Sequence, residues 1–295
     1  MGGAIDLLSS MTQGGAWVAT VLLLSLRLGA ALLMTPVLAA AMVPATVRVL
    51  LILGLSAALS LGLPSVAATP AAYLMAHPGA LIQAGFTEVA LGSTLGLGIL
   101  LAFSAFTLAG RALDIQIGFG LGQVIDPSSN SRAPILTTAF NQVALVVFFL
   151  VNGHHALMRG LAYSLERFPL GQPWPIDAAV GPVLKQVAGM FSLSFVLAAP
   201  VVFCILMTDL ALGVLARNLP QINMLTMGIP VKIVVGIFTL SLWFAGIGPV
   251  MTRVYGSIYR TWDAIFAAAP PQPRMLFPVA GGPGQPGALH PQGGR

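Results

Sequence analysis

The sequence predicts an all-α membrane protein of about six long apolar helical segments arranged in hairpins, several kinked by proline. Three observations carry that expectation. Hydrophobic residues make up 57% of the 295-residue chain and charged residues only 7%, against roughly 45–50% and about 25% in soluble globular domains. So little charge does not cover the surface of a soluble protein this size. The apolar residues also gather into runs, several near the ~20 residues that cross a bilayer, and short polar stretches rich in glycine and proline separate them.

The first run, residues 17–42, is long enough to span and carries Arg27 near its middle. An arginine at that depth costs several kcal/mol unless it is paired or faces a polar interior, so two readings stand: a contact inside an assembly or cavity, or snorkelling to an interface. Pro36 and Pro44 bracket the end of this run, and Arg48 precedes the second, which stops at Pro64 and completes a hairpin. Residues 65–78 read as a short extramembrane turn. The third run, residues 81–110, contains Glu88 and then Gly92 and Gly96 in a G-x-x-x-G spacing, a pattern that lets helices approach closely in lipid. Glu88 is a contact candidate because a carboxylate within an apolar run needs a partner; an interfacial position at the helix start is the alternative.

Residues 111–134, RALDIQIGFGLGQVIDPSSNSRAP, interrupt the apolar sequence with Arg111, Asp114, Asp126 and Arg132. Alternating Gly118, Gly120 and Gly122 permit positive φ or close approach, and Asp126-Pro127-Ser128-Ser129-Asn130 reads as a turn. Irregular backbone at membrane depth is tolerated only where protein buries it or water meets it, so this stretch is expected to be a loop that lines or closes a passage. The fourth run, residues 135–158, reaches a helix stop at Asn152-Gly153-His154-His155. Residues 159–186 are the most charged and are expected to form a hydrophilic connection. A fifth run, 187–215, contains Pro200; a polar break at 217–230 follows, and the sixth run covers 231–250 with Lys232 at its start. Beyond it, charged and aromatic residues to Asp263 alternate with apolar ones at helical spacing, which reads as an interfacial amphipathic end. The helical domain is expected over 1–269, and the Pro/Gly-rich tail, 270–295, is expected to be disordered.

Charge and motifs exclude several function classes. The thirteen Lys and Arg residues are scattered singly, unlike the aromatic-lined basic groove of a nucleic-acid binder; helix ends and lipid headgroups account for them better. Counted over the predicted segments, neither side of the membrane holds a clear excess, so some apolar runs are expected to pack on protein rather than cross lipid independently. The single Cys204 admits no intrachain disulfide, and no positively charged region precedes the first apolar run as a cleavable signal would require. There is no G-x-S-x-G, P-loop, H-E-x-x-H or dinucleotide fingerprint. His154 and His155 are adjacent, about 100° apart on a helix, and lack the i, i+4 spacing of a metal pair. The expectation is therefore no enzyme, no cofactor and no metal.

Arg27 with Pro36, Pro44 and Arg48, Glu88 before Gly92, the run DIQIGFGLGQVIDPSSNSRAPIL, the segment NGHHALM with FPLG, and PQINMLTMGIP together resemble the FliR/SctT family of type III export-gate proteins across roughly residues 15–250. The Asp126-Pro127 turn and Asn152-Gly153-His154 look more like its flagellar branch than its injectisome branch. The resemblance implies a non-enzymatic subunit assembled with FliP and FliQ and contacted by FlhB, in the bacterial inner membrane at the flagellar basal body, passing unfolded flagellar subunits. It also implies a FliP-like N-terminal part and a FliQ-like C-terminal part. By the same resemblance, Gly118, Phe119, Gly120, Leu121, Gly122, Gln123, Val124 and Ile125, followed by Asp126 and Pro127, would form a pore plug, and Pro220, Gln221 and Asn223 would border the entrance. Arg27, Arg48, Glu88, Arg111 and Asp114 are the expected polar contacts within the assembly. The paired histidines and the long tail depart from the family pattern. A permease using Arg27 and Glu88 at a midplane site is the competing expectation.

Overall fold

The computed structural model describes residues 2–37, 43–62, 71–119, 134–218 and 224–268, which form helices and no strand. Among them α1 covers Gly2–Met34, α2 Ala45–Gly62, α3 Ala71–Ala76, α4 Pro78–Ile117, α5 Ile135–Leu150, α6 Gly153–Arg167, α7 Asp177–Asn218, α8 Met224–Gly246 and α9 Gly248–Ala268. Five helices are long and apolar enough to cross a membrane, and the α5–α6 pair, bent by 66°, makes a sixth candidate if taken as one span. The chain is a multi-pass membrane protein of the expected all-α class.

Helix α4 is the axis of the fold, with α1, α5, α7 and α9 packed against it. Its buried positions Leu91, Leu95, Ile99, Ala102, Phe106, Ala109 and Leu113 recur every three or four residues, the spacing of one helix face. Buried Glu88, Gly92, Phe103, Gly110 and Asp114 widen that face. At about 1.5 Å per residue its 40 residues measure roughly 60 Å, about twice the ~30 Å hydrocarbon layer. An apolar helix of that length is covered over part of its course by protein.

The G-x-x-x-G spacing does what it predicts. A Cβ on Gly92 would lie 2.2 Å from the Arg27 carbonyl oxygen, and one on Gly96 would lie 2.6 Å from that of Ala31. Both obstacles are backbone, so only glycine lets α1 and α4 approach this closely. Pro182 and Pro200 lie inside α7 and Pro230 inside α8, each removing a helix N–H donor.

Several expectations need correction. The polar stretch does not leave the helix at Arg111: α4 continues through Asp114 to Ile117 and ends on Gly118, whose φ of 104° is left-handed and favours a residue without Cβ. The break after α5 is where it was expected, at Asn152 with φ 56°, but His154 and His155 open the next helix rather than close the last. Residues 159–186 are not simply a hydrophilic connection. Most are helical, and Phe168, Leu170 and Trp174 in the joining segment are buried in the core. Nor is α9 an interfacial helix: Val254, Tyr255, Ile258, Trp262, Ile265 and Phe266 are buried against the bundle, and the Trp262 indole donates to Leu95 O at 3.2 Å. The plug positions Gly120 to Pro127, the entrance positions Pro220, Gln221 and Asn223, and the 270–295 tail lie outside the described residues.

Candidate functional site

Two polar junctions hold the bundle together around α4, and the first joins Arg27 to Glu88. Arg27 Nε donates to Glu88 Oε2 at 2.5 Å, and both residues are only 1% exposed. The remaining guanidinium nitrogens are also used: Nη1 donates to Ser164 O at 3.1 Å and to Ser164 Oγ at 3.3 Å, and Nη2 donates to Phe168 O at 2.9 Å. Glu88 Oε1 accepts the Gly171 N–H at 3.1 Å. Gly171 has φ 79°, a left-handed backbone that suits glycine and turns its N–H toward the carboxylate. The junction therefore ties α1, α4, the end of α6 and the 168–176 connector at one point.

Charges buried this deeply are tolerated only when paired and hydrogen-bonded, and here every guanidinium nitrogen and both carboxylate oxygens have partners. Both side chains therefore find their partners inside the chain, Arg27 in Glu88, Ser164 and Phe168, and Glu88 in Arg27 and Gly171. Their places within apolar runs predicted that each needed a partner. The sequence carried no signal for Ser164, Phe168 or Gly171, which contribute mainly backbone atoms.

The second junction stands at the base of the central loop. Asp114, 3% exposed, accepts the backbone N–H groups of Leu136 and Thr137, both at 2.9 Å, and the Thr137 hydroxyl at 2.7 Å. The residue preceding α5 is Pro134, which makes no side-chain cap. Asp114 supplies the acceptors instead, placing negative charge at the positive end of α5. The close approach this needs is made at Gly110, where a Cβ would lie 2.6 Å from Thr137 Cα. Both ends of the 118–134 segment are thus fastened to each other: α4 stops at Gly118, Phe119 packs partly buried on the core, and α5 starts under the Asp114 carboxylate.

The other expected polar residues do not join these junctions. Arg48 Nε donates to the nearby Val43 O at 2.8 Å, and Arg111 is exposed. A pair that sequence reading passed over, Lys232 Nζ to Asp209 at 3.0 Å, links α8 to α7 on either side of the polar break. Among the described residues no group of three or more His, Cys, Asp or Glu side chains could hold a metal ion.

The profile of the family described as bacterial export proteins, family 1, matches residues 18–258. The chain is 32% identical over 185 residues to the flagellar biosynthetic protein FliR of Bacillus subtilis (strain 168), covering 62% of this chain and 71% of that protein. It is 27% identical over 184 residues to FliR of Escherichia coli (strain K12), covering 62% and 70%. The secretion system apparatus protein SsaT of Salmonella typhimurium matches at 26% over 161 residues, covering 53% and 61%. The profile match contains both the Arg27–Glu88 junction and the Asp114 cap, and the chain belongs to bacterial export proteins, family 1.

Proposed function

We propose that this chain is a core subunit of a flagellar type III protein export gate. It sits in the bacterial inner membrane at the flagellar basal body, assembles with FliP- and FliQ-type proteins, is contacted by an FlhB-type protein, and helps form the channel for unfolded flagellar subunits. The family match over residues 18–258 carries this reading. The flagellar relatives also match over more of the chain, 62% against 53% for SsaT, which favours the flagellar branch over the injectisome one. Exposed apolar side chains such as Leu50, Phe195, Phe238 and Leu242, each more than 60% exposed, need lipid or other subunits to cover them.

The segment after Gly118 acts in this reading as a plug that closes the passage at rest. The fastened base supports it: Asp114 holds the two flanking helix ends, so the segment between them can rearrange while α4 and α5 stay in place. Passage of an unfolded chain needs no covalent step, which fits a subunit without a catalytic constellation. The competing reading is a permease acting alone, with Arg27 and Glu88 at a substrate site, but the complete mutual pairing of those two side chains leaves neither free for a substrate.

The test is complementation of a strain lacking its own flagellar counterpart, with recovery of tagged chain from the membrane. Restored secretion of hook and filament subunits, with FliP and FliQ retained on the tag, is the expected outcome. Recovery of the chain without either, together with solute transport by the chain alone in vesicles, would establish the permease instead.

A further inference from the structure

Where α6 and α9 run side by side they frame a groove of about 300 Å³ that neither junction uses. Its lining is largely aromatic, with Tyr163 from α6 and Tyr259, Trp262 and Phe266 from α9. Tyr163 stands edge-on to Phe266 with ring centroids 5.1 Å apart, and Tyr259 edge-on to Trp262 at 6.1 Å. Trp262 and Phe266 are buried and form the floor, whereas Tyr163 is half-exposed. The floor lies close under α6 because position 160 is glycine: a Cβ there would sit 2.3 Å from Trp262 Cζ3. Asp263 adds a carboxylate to this lining and Arg159 a guanidinium.

What covers the groove follows from the chain that leaves it. Gly160 meets Trp262 and Tyr163 meets Phe266, so α6 and α9 run in the same direction and the groove extends toward the end of α9 at Ala268. Just beyond that end the sequence reads Pro270-Pro271-Gln272-Pro273-Arg274-Met275-Leu276-Phe277. Prolines fix φ near −65° and favour the extended polyproline helix. A P-x-x-P segment in that form is recognised by aromatic-lined grooves, because little entropy remains to be lost on docking. Here the P-x-x-P is Pro270 to Pro273, and the cation that follows it, Arg274, matches the carboxylate of Asp263. The lengths agree as well. From Ala156 to Tyr163 the groove extends roughly 10 Å along α6, which about three or four residues of polyproline helix cover. A chain reversal just after Ala268 therefore brings the segment back over the rings with residues to spare.

We propose that residues 270–277 fold back on α9 and dock in this groove, with the prolines against Tyr163 and Phe266 and Arg274 donating to Asp263. The docked segment covers ring surface that the helices leave open. Tethered at the groove's own end, it competes at high effective concentration with any other chain for that face. The inference stands independently of the export-gate reading.

The test is disulfide formation in the full chain, purified in detergent, in a Cys204→Ser background. Arg159→Cys in the groove wall is paired with Met275→Cys. The comparison pairs Met275→Cys with Arg111→Cys, an exposed site roughly 24 Å along α4 from the Leu95 carbonyl that Trp262 meets. Docking holds one thiol near the other, so the groove pair is expected to form its disulfide about tenfold faster than the comparison pair. Pro271→Ala/Pro273→Ala and Tyr163→Ala are each expected to remove most of that advantage. Asp263→Arg is expected to slow the groove pair about threefold, and adding Arg274→Asp to restore it, a rescue that a merely misfolded variant does not show. Matching elution profiles and helicity establish that the variants remain folded. Equal rates for the two pairs would overturn the inference, as would an unchanged rate in the proline variant, no rescue by the charge swap, or disulfides formed mainly between two copies of the chain.

Discussion

Cutting the Arg27–Glu88 junction from both sides should cost no more than cutting it from one. Removing one partner of a buried, hydrogen-bonded ion pair leaves an uncompensated charge, at about 3–5 kcal/mol. In Glu88→Leu, Arg27 keeps the Ser164 and Phe168 acceptors but loses its counter-charge, and the Gly171 N–H loses its acceptor; we expect about 4 kcal/mol. Arg27→Met strands the carboxylate and two carbonyls, again at about 4 kcal/mol. The double variant carries no buried charge and leaves only backbone groups unsatisfied, so about 4 kcal/mol is expected rather than the ~8 kcal/mol of independent effects, a coupling of about 4 kcal/mol. Denaturant titration of the purified chain in detergent, followed by tryptophan fluorescence, measures all three. The connector supplies a local check: proteolysis within 168–176 should accelerate in both single variants, because Phe168 O and Gly171 N–H are its ties to the junction. Single losses below about 1 kcal/mol that simply add would refute the view that this pair fastens the bundle.

Three further outcomes follow from the packing. Gly92→Ala places a Cβ 2.2 Å from the Arg27 carbonyl oxygen and should lower the unfolding midpoint sharply, whereas Gly54→Ala, with nothing within 4 Å, should be neutral or raise stability by up to about 1 kcal/mol; thermal unfolding of the two compares them directly. Asp114→Ala removes the acceptors at the start of α5 and should cost about 2 kcal/mol, with faster hydrogen exchange at Leu136 and Thr137 and unchanged exchange in α8. Asp209→Ala breaks a pair whose side chains are 23% and 41% exposed, so less than about 1 kcal/mol is expected in the same titration.

Where the sequence was legible, a residue type was costly in its surroundings. Arg27 and Glu88 in apolar runs demanded partners, Gly92 and Gly96 marked a close helix crossing, and Asn152-Gly153 marked a break; each is found in that role. What was hidden depended on backbone atoms or on long-range packing. The Phe168 carbonyl and Gly171 N–H have no side-chain signature, and the proline-rich connector that carries them reads as exposed although its Phe168, Leu170 and Trp174 are buried. Helix α9 misled in a different way. Its amphipathic pattern is the same whether the apolar face meets lipid or protein, and only the tertiary contacts of Tyr255, Ile258 and Trp262 with the bundle decide between them. Asp114 was legible as a polar contact, but capping a helix that begins more than twenty residues later is a property of the fold rather than of any local motif.

In the export-gate reading, the segment following Gly118 closes a passage shared with partner subunits. Deleting residues 118–125 in cells lacking the native protein, and measuring ion leakage across the inner membrane with and without FliP and FliQ, probes that closure. Leakage that appears only when both partners are present is the predicted result. Leakage from the chain alone would contradict it in favour of a self-contained permease, and a tight, export-competent assembly would contradict it by leaving the chain a structural subunit without a gate.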